Sequence, residues 1–131
     1  MRSNEELLEF ARQVSQKAYC KYSNFAVGAC ALYESGNIYV GCNVENSSYG
    51  LALCAERNAI STAIAQGETT KLIKIAIYSP NTTNCFPCGA CRQWLCEFEE
   101  GQNIQVILED ENKDIICYSI NDMLPFSFKL C

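Results

Sequence analysis

The chain contains no histidine. Any transition-metal site must therefore be built from sulfur or carboxylate, and any general base must be something other than imidazole. Basic runs are missing too: ten Lys and Arg stand against fifteen Asp and Glu, a formal net charge of −5. Such a surface repels a polyanion on average, so no nucleic-acid partner is expected. No stretch reaches the roughly 20 apolar residues that cross a bilayer. The opening segment MRSNEELLEF carries acids where a secretion signal would carry a positive region and then an apolar run. The expectation is a soluble, cytoplasmic protein with no membrane partner. Repeats, low-complexity tracts and linkers are also absent. A chain of 131 residues, 49% hydrophobic and 19% charged, suits one domain over 1–131 with a real core.

Cysteine, by contrast, is plentiful, with ten residues. In a secreted chain that number suggests a disulfide framework; in a reducing compartment most are small buried hydrophobes. Cys20, Cys30, Cys42, Cys96, Cys117 and Cys131 are read in that second way. Trp94 is assigned to the core.

The pattern of elements follows from periodicity and punctuation. Ser3-Asn4-Glu5-Glu6 reads as a capping box, after which Leu7, Leu8, Ala11, Val14 and Ala18 fall on one helical stripe. Residues 25–33 and 38–42 are β-rich runs around Glu34-Ser35-Gly36-Asn37, a hairpin. A loop over 43–51 precedes a helix over about 53–66, ended by Gly67. A buried strand over 72–79 leads through the turn PNTTNCFP into a third helix, CGACRQWLCEF. Strands at 104–109 and 115–119 and a short helical turn at 120–124 complete the order α-β-β-α-β-α-β-β, a sheet with helices packed over it. Periodicity alone does not say which strands run parallel.

Two segments carry chemistry. Cys54-Ala55-Glu56 opens the second helix and Pro87-Cys88-Gly89-Ala90-Cys91 opens the third. A first helical turn has unpaired N–H groups and the positive end of the helix dipole, which favour thiolate. Pro87 and Gly89 suit such a turn. Cys88 and Cys91 have the chelate spacing for one zinc ion, and Cys54 supplies a third sulfur. Three protein ligands leave a tetrahedral position for water, the pattern of a catalytic zinc site. Glu56, two residues after a ligand, can work on that water without binding the metal. A lone Cys-x-x-Cys also fits a redox dithiol or a structural zinc site, and the second would need a closing fourth ligand, for which Cys85 is the local candidate. Cys85 is read here as an idle thiol.

The Cys-Ala-Glu and Pro-Cys-x-x-Cys pair matches the zinc-deaminase signature. Together with Phe25-Ala26-Val27-Gly28-Ala29, Asn43-Val44-Glu45-Asn46 and Cys88-Gly89-Ala90-Cys91-Arg92-Gln93, it resembles the small homotetrameric cytidine deaminases from about Tyr22 to Phe128. The resemblance implies an α/β fold, a three-layer α-β-α sandwich with a mixed sheet of about five strands. It implies hydrolysis of the 4-amino group of cytidine or deoxycytidine, with one Zn²⁺ per chain held by Cys54, Cys88 and Cys91. Glu56 would move protons from the attacking water to N3 and on to the departing ammonia. Asn43 and Glu45 would meet the ribose hydroxyls, Phe25 would stack near the base, and the backbone of Ala55 would contact its edge. Tyr49 and Phe128 match the aromatics that reach a neighbour's pocket, and Arg57 matches a guanidinium that donates to the ligand sulfurs, with Arg92 a lesser candidate. The family usually has Pro where Ala26 and Gly50 stand. Two other readings keep the zinc: a deaminase of another nucleoside or of a base in nucleic acid, and a structural zinc module.

Overall fold

The computed structural model describes residues 1–130. Helix α1 (Asn4–Ser15) is followed by strands β1 (Gly28–Tyr33) and β2 (Ile38–Cys42), a short 3-10 turn at Tyr49–Leu51, and helix α2 (Ala55–Ala65). Then come β3 (Leu72–Tyr78), α3 (Gly89–Glu97), β4 (Gln105–Glu109), β5 (Ile115–Ser119) and the single turn α4 (Ile120–Met123). The predicted capping box is present: Ser3 accepts from the Glu6 N–H while the Glu6 carboxylate accepts from the Ser3 N–H. The helix stops at Ser15, so Ala18 lies beyond the stripe predicted to include it.

The five strands form one sheet in the order β2-β1-β3-β4-β5. All pairs are antiparallel except β3 and β4, which are joined by α3 as a parallel pair requires. Alternation along β1 separates two cores. Ala29, Ala31 and Tyr33 face a cluster with Ala59 and Ile60 of α2 and Leu95 of α3. Cys30 and Leu32 face Leu7, Leu8 and Ala11 of α1. One helix on one face and two on the other give the three layers implied by the resemblance.

Both flanking helices sit unusually close to the sheet. A Cβ on Gly28 would stand 2.0 Å from the Ala11 carbonyl oxygen, and one on Gly41 would stand 2.4 Å from the Ala59 nitrogen. These two glycines seat α1 and α2 on the hairpin. Glu68 locks the far end of that hairpin, its carboxylate accepting from Ser35, Asn37, Tyr39 and Thr70.

The cysteines divide more finely than composition suggests. Of the six read as core, Cys30 and Cys96 are buried, Cys20 and Cys42 are half-buried, and Cys117 is exposed; Cys131 lies outside the described residues. Cys117 is on the edge strand β5, where the Asn4 side chain donates to its sulfur at 3.4 Å. Trp94 is half-buried against the larger core, as assigned. Among the described residues no helix is long and apolar enough to cross a membrane.

Candidate metal centre

The site forms where β2 and β3 end and β1 begins, an edge fixed by the pairing of Gly28 with both Cys42 and Tyr78. Beyond Cys42 the chain is held by a two-way backbone pairing of Val44 with Leu53, 2.9 Å in each direction. This leaves Cys54 in extended conformation as the N-cap of α2. Beyond β3 the chain turns back so that Cys88 becomes the N-cap of α3, with its sulfur 3.5 Å from the Cys91 N–H. The starts of two helices thus face each other. The sulfurs of Cys54, Cys88 and Cys91 all lie within 4.8 Å of one another. Bonds of about 2.3 Å to a tetrahedral zinc put sulfurs roughly 3.8 Å apart, so only slight closure is needed.

Electrostatics in the cluster favour a cation. Hydrogen bonding from Cys91, together with the Arg57 guanidinium, brings the Cys54 thiol down to about 5. The Cys91 thiol is pushed up, first by that same bond with Cys54 and then by burial. The two sulfurs thus sit close enough to depend on each other's charge, in the place where a metal ion would bind. Arg57 donates from Nη2 to the Cys54 sulfur at 3.2 Å, and its own pKa is raised chiefly by this bond. Its Nε is buried with no partner among the described residues. Three soft donors, a guanidinium and two helix N-termini fit zinc. The guanidinium and the helix N-termini also offset the formal −1 that three thiolates leave on Zn²⁺.

Glu56, in the first turn of α2, is only 5% exposed. Burial raises its pKa, and the neighbouring charge of Cys54 adds to the shift. It lines a cleft of about 280 Å³ together with Cys54, Cys88, Ala55, Phe25, Asn43 and Glu45. That is near the small end of the ~300–1,000 Å³ usual for ligand pockets.

Asn43 is heavily engaged already: Nδ2 donates to the Phe25 carbonyl and Oδ1 accepts from the Val27 N–H, both at 2.8 Å. Glu45 accepts from the N–H groups of Tyr22 and Ser23 at 3.1 Å and from the Ser23 hydroxyl. The Ser23 hydroxyl is the main cause of its lowered pKa. Tyr49 and Phe128 are 78% and 68% exposed and do not line this cleft. Tyr49 stands edge-on to Tyr22, and the Phe128 carbonyl accepts from Gln93. Arg92 does not reach the sulfurs; its guanidinium donates to the carbonyls of Pro87 and Met123. Gly89 has no positive φ, and a Cβ there would meet nothing, so the turn does not require glycine.

Of the lining residues, Ala52, Leu53, Ile77 and Phe86 have no role in the sequence reading, while Cys85, read there as an idle thiol, forms part of the wall. The segment PNTTNCFP signals only a turn, and no local pattern says which of its side chains face inward. Cys85 lies outside the three-sulfur group, and burial pushes its thiol up to about 12. Its place is in the cleft wall, outside the sulfur group.

Residues 1–121 match the family model described as the cytidine and deoxycytidylate deaminase zinc-binding region. The chain belongs to this family. It is 38% identical over 124 residues to a cytidine deaminase of Sporosarcina psychrophila, covering 95% of this chain and 90% of the relative. It is 37% identical to a probable cytidine deaminase of Dictyostelium discoideum, covering 95% and 82%. Among solved structures it resembles a cytidine deaminase from Burkholderia pseudomallei, with TM-score 0.87, 39% identity and coverage of 97% of this chain and 100% of that one. The cytidine deaminase of Mycobacterium tuberculosis superposes with TM-score 0.85 at 35% identity, covering 99% and 100%. Zinc is accordingly the metal of this family's site, and the sulfur cluster fits it.

Arg57→Ala is expected to weaken zinc binding roughly 10- to 100-fold, as loss of a ligand-orienting partner does. Competition against a chromogenic chelator measures this; unchanged affinity would show that the guanidinium is irrelevant to the metal.

Proposed function

We propose that the chain hydrolyses cytidine and deoxycytidine to uridine and deoxyuridine plus ammonia, with Cys54, Cys88 and Cys91 holding one zinc ion and Glu56 moving the protons. The observation that carries this reading is a buried carboxylate outside a group of three converging sulfurs, lining one nucleoside-sized cleft with two of them. Zinc bound there supplies Lewis acidity that makes water a nucleophile near neutral pH.

The reaction needs water added at C4, a proton delivered to N3, and a proton delivered to the amino nitrogen as the C4–N bond breaks. Glu56 can do all three tasks in turn. As carboxylate it takes a proton from the attacking water and, once protonated, delivers it to N3. It then passes the second hydroxyl proton to the leaving ammonia. Its raised pKa suits a group that must alternate between acid and base. The Phe25 ring walls one side of the base, and the backbone of Ala55 meets its edge.

Asn43 and Glu45 keep just enough capacity for a sugar. A carboxylate has about four acceptor sites and an amide nitrogen two N–H donors. Tyr22 and Ser23 occupy three acceptor positions of Glu45, and Phe25 takes one N–H of Asn43. One acceptor position and one donor remain for ribose hydroxyls, held by residues that cannot swing away.

Tyr49 and Phe128 are assigned to a neighbouring chain's cleft in a homotetramer. Their exposure supports this, as does the exposed apolar surface of Val40, Val44, Leu51, Leu53 and Ile64. The described cysteines are all free thiols, which suits a cytoplasmic, reducing setting.

Ultraviolet monitoring of cytidine loss tests the chemistry. Glu56→Gln is expected to lower kcat by at least about 10²- to 10⁴-fold with zinc content unchanged. A Gln variant near the wild-type rate, or a zinc-loaded wild type inert on both nucleosides, contradicts the reading. Light scattering is expected to give four times the chain mass; a monomer would refute the shared site.

A further inference from the structure

We infer that Asn81 is a positioning residue of this cleft: through one hydrogen bond to the backbone of Ala26 it holds the Phe25 wall in place. The inference rests on the nucleoside reading above.

The segment carrying Phe25 belongs to no strand, since β1 begins only at Gly28. It leaves a left-handed residue, Asn24 at φ +57, so no regular structure defines its path. Side chains define it instead. The Phe25 N–H donates to the Ser23 hydroxyl at 3.0 Å. Asn43 takes the Phe25 carbonyl and the Val27 N–H. All of these partners lie on the β2 side or within the segment itself.

Only the Ala26 N–H is directed to the β3 side, where it donates to Asn81 Oδ1 at 2.8 Å. The main-chain pairing of β1 with β3 ends at Gly28 and Tyr78, so Asn81 extends the ladder by one side-chain rung. Asn81 is itself fixed, because its N–H donates at 3.1 Å to the hydroxyl of Ser79, which is only 3% exposed. The loop beyond Asn81 carries Cys85 and Phe86, which line the same cleft. A single amide thereby links the Phe25 segment to the loop that carries two further lining residues.

The residue at 26 makes this bond possible. Proline would fix φ but offer no N–H; alanine leaves φ free and supplies the donor that Asn81 accepts. Loss of the bond should let Phe25 drift without disturbing Glu56 or the sulfurs, so substrate binding should suffer while the chemical step does not.

The test uses the zinc-loaded protein with Asn81→Ala, Asn81→Asp, Ala26→Pro and the Ala26→Pro/Asn81→Ala pair. Asn81→Ala is expected to raise KM for cytidine roughly 5- to 10-fold, the size of one lost hydrogen bond, with kcat nearly unchanged. Asn81→Asp, which keeps the acceptor, should restore KM. In the Ala26→Pro background, removing Asn81 should raise KM no further, because the N–H is gone. An equal rise in both backgrounds would overturn the inference, since Asn81 would then act only on its own loop. Amide exchange at Ala26 reads the bond without substrate: it should quicken in Asn81→Ala, and unchanged protection would also overturn the inference. Quickened exchange in a protein that leaves cytidine untouched would uphold the clamp and remove the nucleoside reading instead.

Discussion

Everything in this molecule turns on bringing two helix N-termini together at one end of a sheet. The cost is electrostatic: three sulfurs at mutual distances within 4.8 Å cannot all ionise without a compensating cation. The hydrogen bond from Cys91 and then the Arg57 guanidinium hold the Cys54 thiol down, and two helix dipoles add to the compensation. The rest calls for a metal ion. The fold exists to hold that arrangement rigid. Gly28 and Gly41 let α1 and α2 lie almost on the strands, and the β3-α3-β4 crossover aims α3 from the other side.

Around the cluster the chain builds its cleft from irregular backbone pinned by side chains. Asn43, Glu45, Ser23 and Asn81 each use polar groups on neighbouring loop amides. Such segments are where function concentrates because a rigid scaffold positions them. Asn43 and Glu45 clamp these loops and still keep a spare donor and acceptor at the cleft.

Much of this was legible in residues. The capping box at Ser3, the turn around Gly36 and the stop at Gly67 marked element ends that the structure matches closely. Cys54 and the Cys88–Cys91 pair were readable because metal chelation imposes spacing, and spacing survives in sequence. The path of Phe25 to Val27 was not: its β-rich composition reads as strand, yet the ladder begins only at Gly28, because the Asn43 amide takes up its backbone groups on one side. Cys117 was read as core because composition does not reveal an edge strand. Phe86 and Asn81, and the inward position of Cys85, were invisible for a related reason. Their turn has no period, so only three dimensions show which side chains face the cleft.

The central claim is a zinc ion bound by three protein sulfurs and one exchangeable light atom. X-ray absorption at the zinc edge of the purified protein tests it most directly. The account predicts about three sulfur neighbours near 2.3 Å and one oxygen near 2.0 Å. Four sulfurs, which would recruit a further cysteine and close the site, would contradict it.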